Sequence, residues 1–223
     1  MSVNLKQQLC FGAGQNEADR AVAEVLTDEE LIINIRQGDR RAAEELVERH
    51  QQKAYAIAYH YLGGRDDAED ATQEAFLRAF RSLDSFRGDA VFYTWFYRIL
   101  IHTCIDQRRR HRRWRRIFSR SRPTADKGRR TDKRIEEQPD ERTCANPQTV
   151  LRSKQLSQDI EEALLQLPEK QRLVFQLKVF HGLRIREIAE IMQNAEGTVK
   201  SHLFRATQVL RTALKEWAQP EAR

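Results

Sequence analysis

The chain has 223 residues, of which 39 are lysine or arginine and 33 are aspartate or glutamate, giving a formal net charge of +6. This length allows one large domain or two modest ones, and the positive charge suits a polyanionic partner. With only nine glycines and five prolines, the composition favours an all-α fold. No segment is apolar enough to span a bilayer, and the amino terminus lacks a signal-peptide pattern, so we expect a cytoplasmic protein without membrane insertion.

The residue types that build most enzymatic sites do not cluster in this sequence. Cys10, Cys104 and Cys144 are widely spaced and odd in number, which is typical of neither a disulfide framework nor a zinc site. The six histidines are scattered, and no Ser-His-Asp or metal-ligand spacing is present. We therefore expect no catalytic residue, no metal and no cofactor, and a protein that is not an enzyme.

Changes in composition divide the chain into four stretches. Residues 1–26 form a weakly patterned extension, and residues 27–113 show helical periodicity. Residues 114–150 are polar, charged and interrupted by prolines and a glycine, so we predict a flexible basic linker there. Residues 151–217 are again periodic. We expect an all-α protein of two small helical domains joined by this linker, the carboxy-terminal domain being a helix-turn-helix.

The first domain opens with strong helix boundary signals. Thr27-Asp28-Glu29-Glu30 has the pattern of a capping box, in which a threonine hydroxyl and a glutamate carboxylate satisfy free backbone amides. Gly38 ends this first helix, and Asp39 can cap the next. The second helix carries apolar residues at helical spacing until Gly63-Gly64 ends it.

A third helix begins with the acidic run Asp66-Asp67-Ala68-Glu69-Asp70. Acidic residues in the first turn complement the helix dipole, which explains only the start of the run. Polar and acidic positions continue beside large apolar residues, and we expect Phe76, Leu77 and Phe80 to be exposed there. This acidic ridge is then a docking face for a basic partner surface. A magnesium site is the alternative, but no second acidic cluster or phosphate-cradling loop supports it.

Aromatic residues crowd the start of the next helix. A loop over residues 83–89 precedes five aromatics within six positions, namely Phe92, Tyr93, Trp95, Phe96 and Tyr97. We expect the core stripe to be Val91, Trp95, Ile99, His102 and Ile105. The other aromatics are then exposed and form a stacking platform for unpaired bases. The alternative is that neighbouring helices pack all five.

The same helix runs into a basic segment. Residues 108–122 contain nine arginines and no acidic residue. Such a segment releases counterions from a phosphate backbone, although a solubilising tail has the same composition.

Residues 184–205 have the pattern of a DNA-binding helix-turn-helix. Apolar residues at helical spacing define a short first helix, and Gln193-Asn194-Ala195 is long enough only for a tight turn. Val199, Leu203, Ala206 and Leu210 form the buried stripe of the second helix. Its open faces carry polar residues that reach base edges and phosphates, namely Thr198, Lys200, Ser201, His202 and Arg205. A helical hairpin with a solvated face is the alternative.

Three stretches together resemble the extracytoplasmic-function sigma factors of bacterial RNA polymerase, of the sigma-E-like kind. They are DAEDATQEAFLRAFRSLDSFRGDAVFYTWFYRILIHTCID at 67–106, NPQTVLRSKQL at 146–156 and LPEKQRLVFQLKVFHGLRIREIAEIMQNAEGTVKSHLFRA at 167–206. A helix-turn-helix alone is weak evidence, but the combination is specific and covers most of both domains. The resemblance identifies residues 27–113 with sigma region 2 and residues 151–217 with sigma region 4.

The resemblance also implies roles for individual residues. The surface that docks on the β′ clamp helices of core RNA polymerase corresponds to Asp67, Asp70, Gln73, Glu74 and Phe76. The −10 recognition and melting set corresponds to Phe86, Arg87, Gly88, Asp89, Phe92, Tyr93, Trp95, Phe96, Arg98, Arg108 and Arg109. The −35 reading helix corresponds to Glu196, Thr198, Lys200, Ser201, His202 and Arg205.

The implied partners are core RNA polymerase, contacted through the β′ clamp helices and the β flap, promoter DNA and an anti-sigma factor. The implied function is promoter-specific initiation of transcription as an alternative sigma factor. We expect changes at Arg87 or Phe96 to impair strand opening more than duplex binding. We expect changes at Lys200 or Arg205 to weaken −35 binding and its salt dependence.

Two other functions fit parts of the sequence. A conventional transcriptional regulator binds duplex DNA through a helix-turn-helix without core polymerase, but the acidic ridge and aromatic cluster argue against it. A nucleic-acid-processing enzyme lacks a catalytic constellation here. The chain also departs from the family pattern, because Gln193-Asn194 occupies a turn that often has a glycine or other small residue, and residues 1–26 have no interpretable counterpart.

Overall fold

A computed structural model of the chain describes residues 26–88, 90–119 and 147–218, and leaves out the side chains of residues 115–119, 147–150, 216 and 218. The predicted extension, apart from Leu26, lies outside these residues, as do Asp89 and the central part of the predicted linker. The described residues form helices joined by short turns, which confirms the expected all-α fold.

The helices of the first half are α1 (Asp28–Arg36), α2 (Arg40–Leu62), α3 (Arg65–Arg81) and α4 (Phe92–Ser119), with a short 3₁₀ turn at Leu83–Ser85. Those of the second half are α5 (Pro147–Gln166), α6 (Glu169–Val179), α7 (Ile185–Met192) and α8 (Glu196–Ala213), followed by a 3₁₀ turn at Lys215–Ala218. Among the described residues, none of these helices is long and apolar enough to cross a membrane.

The boundaries of α1 and α2 follow the predicted caps. The Thr27 amide donates to the Glu30 carboxylate over 2.7 Å, and the Glu30 amide donates to the Thr27 hydroxyl over 3.3 Å, so the capping box is confirmed. The Asp39 carboxylate accepts from the amide of Arg41 over 2.8 Å and caps α2. Gly63 ends α2 with φ +80°, a conformation that a side chain would strain.

The first domain packs α2, α3 and α4 against one another, with α1 lying on α2. The buried face of α3 is made largely of alanine, with Ala68, Ala71 and Ala75 all fully buried. Small side chains on this face let α3 approach α2 and α4 closely, and the larger α4 side chains fill the space between them.

The aromatic helix α4 buries a different face from the predicted one. Phe92, Phe96 and Tyr97 are at most 1% exposed, whereas Val91 is 51% exposed. Trp95, Ile99 and Ile105 are half-buried and His102 is exposed. The expected stripe was therefore wrong by about one position. The physical reason is polarity, because the Phe92–Phe96–Leu100–Cys104 stripe is apolar throughout, whereas the expected stripe would bury the polar ring of His102.

Cys104 lies at the end of this buried stripe. Its side chain is fully buried, and burial raises the pKa of its thiol to about 12. A thiol that stays protonated behaves as a small hydrophobic group, which suits a position in this apolar stripe.

The second domain is built around α8. Helices α5, α6 and α7 all contact α8, and Val199, Ala206 and Leu210 are its buried positions. Leu203, the fourth residue of the predicted stripe, is half-buried. The turn between α7 and α8 spans three residues, as predicted, and begins with Gln193 in the left-handed region at φ 52°.

The two domains pack against each other. Helix α7 lies on α4, and α6 lies on α2. Leu177, Leu183 and Ile188 of the second domain belong to the same apolar cluster as Phe92 and Phe96 of the first. The second domain therefore shares part of its core with the first.

The helices also extend into the segment predicted as linker. Helix α4 continues to Ser119, six residues beyond the predicted end of the domain, and α5 begins at Pro147. Pro147 is one of the prolines that the sequence predicts to interrupt a helix in this segment. It instead occupies the first helical position, where the missing amide of proline has no helical partner to lose.

Candidate nucleic-acid interface

The acidic residues predicted for the docking surface on α3 are not equivalent in the structure. Asp70 is exposed and Gln73 is half-buried, one turn apart on the same face. Asp67 instead faces α4, where the Gln107 side chain donates to its carbonyl over 3.1 Å and His111 lies 3.4 Å from its carboxylate. The open part of the ridge is therefore narrower than the sequence indicates.

Glu74 and Phe76, two further residues of the predicted docking surface, make contacts within the first domain. The Arg78 guanidinium donates to the Glu74 carboxylate over 2.7 Å. Phe76 is 2% exposed and packs on Phe96 with ring centroids 4.4 Å apart, so the prediction that it is exposed was wrong. The helical period places Leu77 outside instead, at 39% exposure, because a helix that buries position 76 turns position 77 toward solvent.

The loop before α4 is anchored by an arginine of α1. The Arg36 guanidinium donates to the carbonyls of Leu83, over 2.8 Å, and Phe86, over 2.5 Å. Phe86 is 7% exposed, whereas Arg87 and Gly88 project into solvent. The anchored carbonyls thus present Arg87 at the tip of a fixed loop.

The aromatic residues of the predicted −10 set form a cluster with a small open edge. Trp95 is half-buried and packs on Phe86 and Phe92, with centroid distances of 5.2 and 5.9 Å. Phe92 and Phe96 are stacked underneath, 5.8 Å apart. The prediction that these two phenylalanines are exposed was wrong, and the described conformation places them in the floor beneath Trp95.

Tyr93 and the first arginine of the basic run face the second domain. The Tyr93 hydroxyl donates to the Glu187 carboxylate on α7 over 2.7 Å. Arg108 lies over the Tyr61 ring, 5.3 Å from its centroid, and 3.9 Å from the Glu169 carboxylate on α6. Arg109 is exposed, and Arg98 is half-buried.

The residues predicted to read the −35 element lie on helix α8 of the helix-turn-helix. Of these residues, Glu196, Thr198, Lys200, Ser201 and Arg205 are exposed, and His202 is half-buried. Lys200 pairs with Glu196 one turn earlier at 3.6 Å. The Ser201 hydroxyl donates to the Gly197 carbonyl over 2.9 Å, which leaves its oxygen able to accept a further hydrogen bond.

Phe204 is an exposed apolar residue on this face that the sequence interpretation omitted. It is 64% exposed and lies one turn beyond Lys200. Its position could have been deduced, because a stripe through Leu203 and Ala206 turns Phe204 outward. A ring at this place can contact a thymine methyl group in the major groove.

No group of three or more histidine, cysteine or acidic side chains that could hold a metal ion occurs in the part of the chain that the structure describes.

Comparisons with known proteins follow the same two-domain division. Residues 46–114 match the family model of sigma-70 region 2, and residues 157–210 match that of sigma-70, region 4. The ECF RNA polymerase sigma-E factor of Escherichia coli (strain K12) is 35% identical over 193 residues, which are 85% of this chain and 95% of that protein. The RNA polymerase sigma-H factor of Pseudomonas aeruginosa is 32% identical over 84% of this chain and 94% of that protein.

Two solved structures share the fold. CnrH, solved in complex with the cytosolic domain of CnrY, has a TM-score of 0.57 and 21% identity, covering 86% of this chain and 99% of CnrH. The sigma factor RpoE of Bartonella quintana, solved with the anti-sigma factor NepR, has a TM-score of 0.55 and 23% identity, covering 77% of this chain and 96% of RpoE. At these identities the likeness concerns the fold alone.

Proposed function

We propose a division of labour for this chain, which belongs to the extracytoplasmic-function sigma factors: the first domain docks on core polymerase and opens the −10 element, and the second reads the −35 element. The chain is an alternative sigma factor that directs promoter-specific initiation of transcription. The observation that carries the division is the joint presence of an open reading helix, α8, and a loop and aromatic cluster at the start of α4.

For docking on polymerase, the proposed contact is the open part of the α3 ridge. Asp70 and Gln73 offer polar groups to a basic surface, and Leu77 adds an exposed apolar contact beside them. Glu74 can join once Arg78 releases it, whereas Phe76 acts from below by fixing the position of α3. The proposed partner surface is the β′ clamp helices, with the second domain on the β flap.

For strand opening, the proposed contacts are the residues at the open edge of the aromatic cluster. Arg87 projects from the anchored loop and can neutralise phosphate, and Trp95 offers a partly exposed ring for stacking of an unpaired base. Phe86 and Phe92 pack on that ring, and Phe96 stacks on Phe92. Stacking on the ring offsets part of the energy that unstacking a base requires.

For the −35 element, α8 enters the major groove with its exposed face. Lys200, Ser201 and His202 are placed for base edges, and Arg205 is placed for phosphate. Docking on core polymerase then holds the two domains at the distance that separates the −10 and −35 elements. This raises the effective concentration of each domain at the element that it binds. On this account the chain itself catalyses no bond chemistry and works in the cytoplasm, where core polymerase is found.

An anti-sigma factor is a further proposed partner. RpoE, which shares the fold of this chain, was solved with the anti-sigma factor NepR, and CnrH was solved with the cytosolic domain of CnrY. A partner of that kind would cover the faces that polymerase requires.

The division of labour is tested with holoenzyme reconstituted from core polymerase on a promoter selected from genomic fragments. Arg87→Ala should reduce permanganate reactivity of unpaired thymines while duplex −35 binding persists, and Arg205→Ala should reduce duplex binding and its salt slope. Arg41→Ala removes an exposed arginine from α2, outside both proposed surfaces, and serves as the matched control. Equal losses in both assays for Arg87→Ala and Arg205→Ala would contradict the division.

A further inference from the structure

Three arginines meet where the basic end of α4 lies close to the start of α6. Arg108 and Arg112 belong to α4, and the guanidinium group of each lies 3.9 Å from the Glu169 carboxylate. Arg172 lies one turn after Glu169 on α6, where the charges of Arg108 and Arg112 act on it. We call Arg108, Arg112 and Arg172 the arginine cluster. It places three positive charges around one carboxylate.

Glu169 supplies the negative charge of this group. Its carboxylate accepts a hydrogen bond from the Tyr61 hydroxyl of α2. Partial burial acts to raise the pKa of Glu169, but the Tyr61 bond and the charges of the arginine cluster outweigh it and lower the pKa. Glu169 is therefore ionised at neutral pH, and three guanidinium groups with one carboxylate leave a net charge of +2.

Two guanidinium groups of the cluster lack partners. Arg172 is only 7% exposed, and no residue that the structure describes gives it a hydrogen bond or an ion pair. Burial and the charge of Arg108 lower the pKa of Arg172, as expected for a cation removed from water without a partner. The Arg108 Nη1 atom is also buried and has no hydrogen-bond partner in the described part of the chain. Buried cations without partners cost free energy, which one further anion would offset.

The start of α6 adds a second attraction for an anion. Pro168 precedes the helix, and no side chain caps the free amides of its first turn. These amides and the positive end of the helix dipole attract negative charge. The planar guanidinium groups beside them offer paired donors that match the oxygens of a phosphate group. A phosphate dianion would also neutralise the net charge of the four side chains.

We propose that the arginine cluster and the start of α6 form a binding site for a phosphate group, carried by inorganic phosphate or by a small phosphate monoester. The ligand is small because Arg172 and the Arg108 Nη1 atom are buried, so the backbone of a duplex reaches the exposed Arg112 but not these two groups. The site goes beyond the proposed function, which assigns no small ligand to this chain. Because α4 belongs to the first domain and α6 to the second, a bound phosphate stabilises the contact between them.

The test uses the full chain and sodium phosphate, with sodium chloride of the same ionic strength as the blank. Thermal denaturation reports the melting temperature, and isothermal titration calorimetry reports the Kd of phosphate. The site variant is Arg172→Gln. The matched control is Arg211→Gln, which makes the same change in charge at an exposed position of α8 in the same domain.

At tenfold excess over its Kd, phosphate should raise the melting temperature of the unchanged chain and of the control by about 3 °C. Arg172→Gln should weaken phosphate binding about tenfold, since one charge-assisted contact is lost. Without phosphate this variant should melt no lower than the unchanged chain, because it removes a buried charge that has no partner. A melting temperature that ignores phosphate, or an equal response in Arg172→Gln, would overturn the site.

A second variant separates loss of the ligand from damage to the fold. Glu169→Gln removes the carboxylate and leaves the arginine cluster without an anion. Without phosphate it should melt below the unchanged chain, and phosphate should restore its melting temperature because the more positive site binds the ion more tightly. A loss of stability that phosphate does not restore would count against the site.

Two competing ligands identify where the phosphate group comes from. Adenosine monophosphate that displaces inorganic phosphate at a lower concentration assigns the site to a phosphate monoester, and weaker displacement assigns it to the free ion. Both results support the site. Binding of a labelled oligothymidylate that depends on Arg172, with no response to either small ligand, would contradict the proposal and assign the cluster to the backbone of single-stranded DNA.

Discussion

The Tyr93 hydroxyl on α4 donates a 2.7 Å hydrogen bond to the Glu187 carboxylate on α7, and so joins the aromatic helix of the first domain to the helix-turn-helix of the second. This bond links residues 94 positions apart in the chain. The two domains are therefore in direct contact and are not joined only by a linker. The stability of the contact between the two domains should therefore change with mutation and with pH.

Acidification should open the domain contact. His60 on α2 and His181 after α6 meet through ring nitrogens 3.1 Å apart, and burial lowers the pKa of both, that of His181 to about 4 with added effects from the charges of His60 and Lys53. The contact favours neutral rings, so its stability is present above the ordinary pKa of 6.5 and is lost as the pH falls toward 4. The radius of gyration should therefore rise between about pH 7 and about pH 5.

The other groups around this pair define the control. Gln176 donates to the His60 carbonyl and Phe180 packs on the His60 ring, and neither side chain titrates. A His60→Gln, His181→Gln double variant should keep one radius of gyration through the same pH range. If it expands as much as the unchanged chain, other groups cause the transition.

Replacing Gln193 with glycine should stabilise the second domain. Gln193 ends α7 with φ 52°, and a non-glycine residue in this region costs about 1 kcal/mol. Glycine relieves that cost but gains freedom in the unfolded chain, so we expect a net gain of about 0.5 kcal/mol in the free energy of unfolding. Urea denaturation measures it, and Gln193→Ala, which keeps the strained Cβ, should give no such gain.

Removing the Phe204 ring should weaken duplex binding without affecting the fold. Because the ring is 64% exposed, Phe204→Ala should change the free energy of unfolding by less than about 0.5 kcal/mol. Loss of an apolar contact in the groove should reduce affinity for −35 duplex by about tenfold. Titration with labelled duplex measures this, and Val209→Ala, at another exposed apolar position of α8, should retain normal affinity.

Phe96→Ala should act on stability more than on strand opening alone. Phe96 is fully buried against Phe76 and Phe92, so its truncation should cost about 3–5 kcal/mol. The exposed Arg87, whose change to alanine should cost less than about 0.5 kcal/mol, is the better probe of opening. Thermal denaturation distinguishes the two, and equal melting temperatures would contradict the buried position of Phe96.

The sequence was most informative where polar and apolar residues alternate clearly. In α7 and α8 the short turn and the polar residues leave one choice of buried stripe, so Val199, Ala206 and Leu210 were predicted correctly as buried, although exposed Phe204 was omitted. In α4 nearly every face of the first turns is apolar or aromatic, and the period alone did not reveal which stripe the neighbouring helices cover. The packing of Phe96 on Phe76 decided it.

The domain contact had no local signal at all. His60 and His181 lie 121 positions apart, and each looks like an isolated histidine in its own helix or turn. The acidic ridge on α3 was predicted in outline, but its division into open and occupied carboxylates depends on Gln107 and His111 of α4. Both features arise from packing between elements, and local periodicity does not encode them.

Run-off transcription with purified core RNA polymerase tests the central claim most directly. The template is a pool of genomic fragments, transcribed with and without this protein. The account predicts transcripts from defined start sites only when the protein is present, with a −10 and a −35 element upstream of each. Absence of such transcripts, together with tight specific binding to duplex DNA without core polymerase, would contradict the account and identify a conventional regulator.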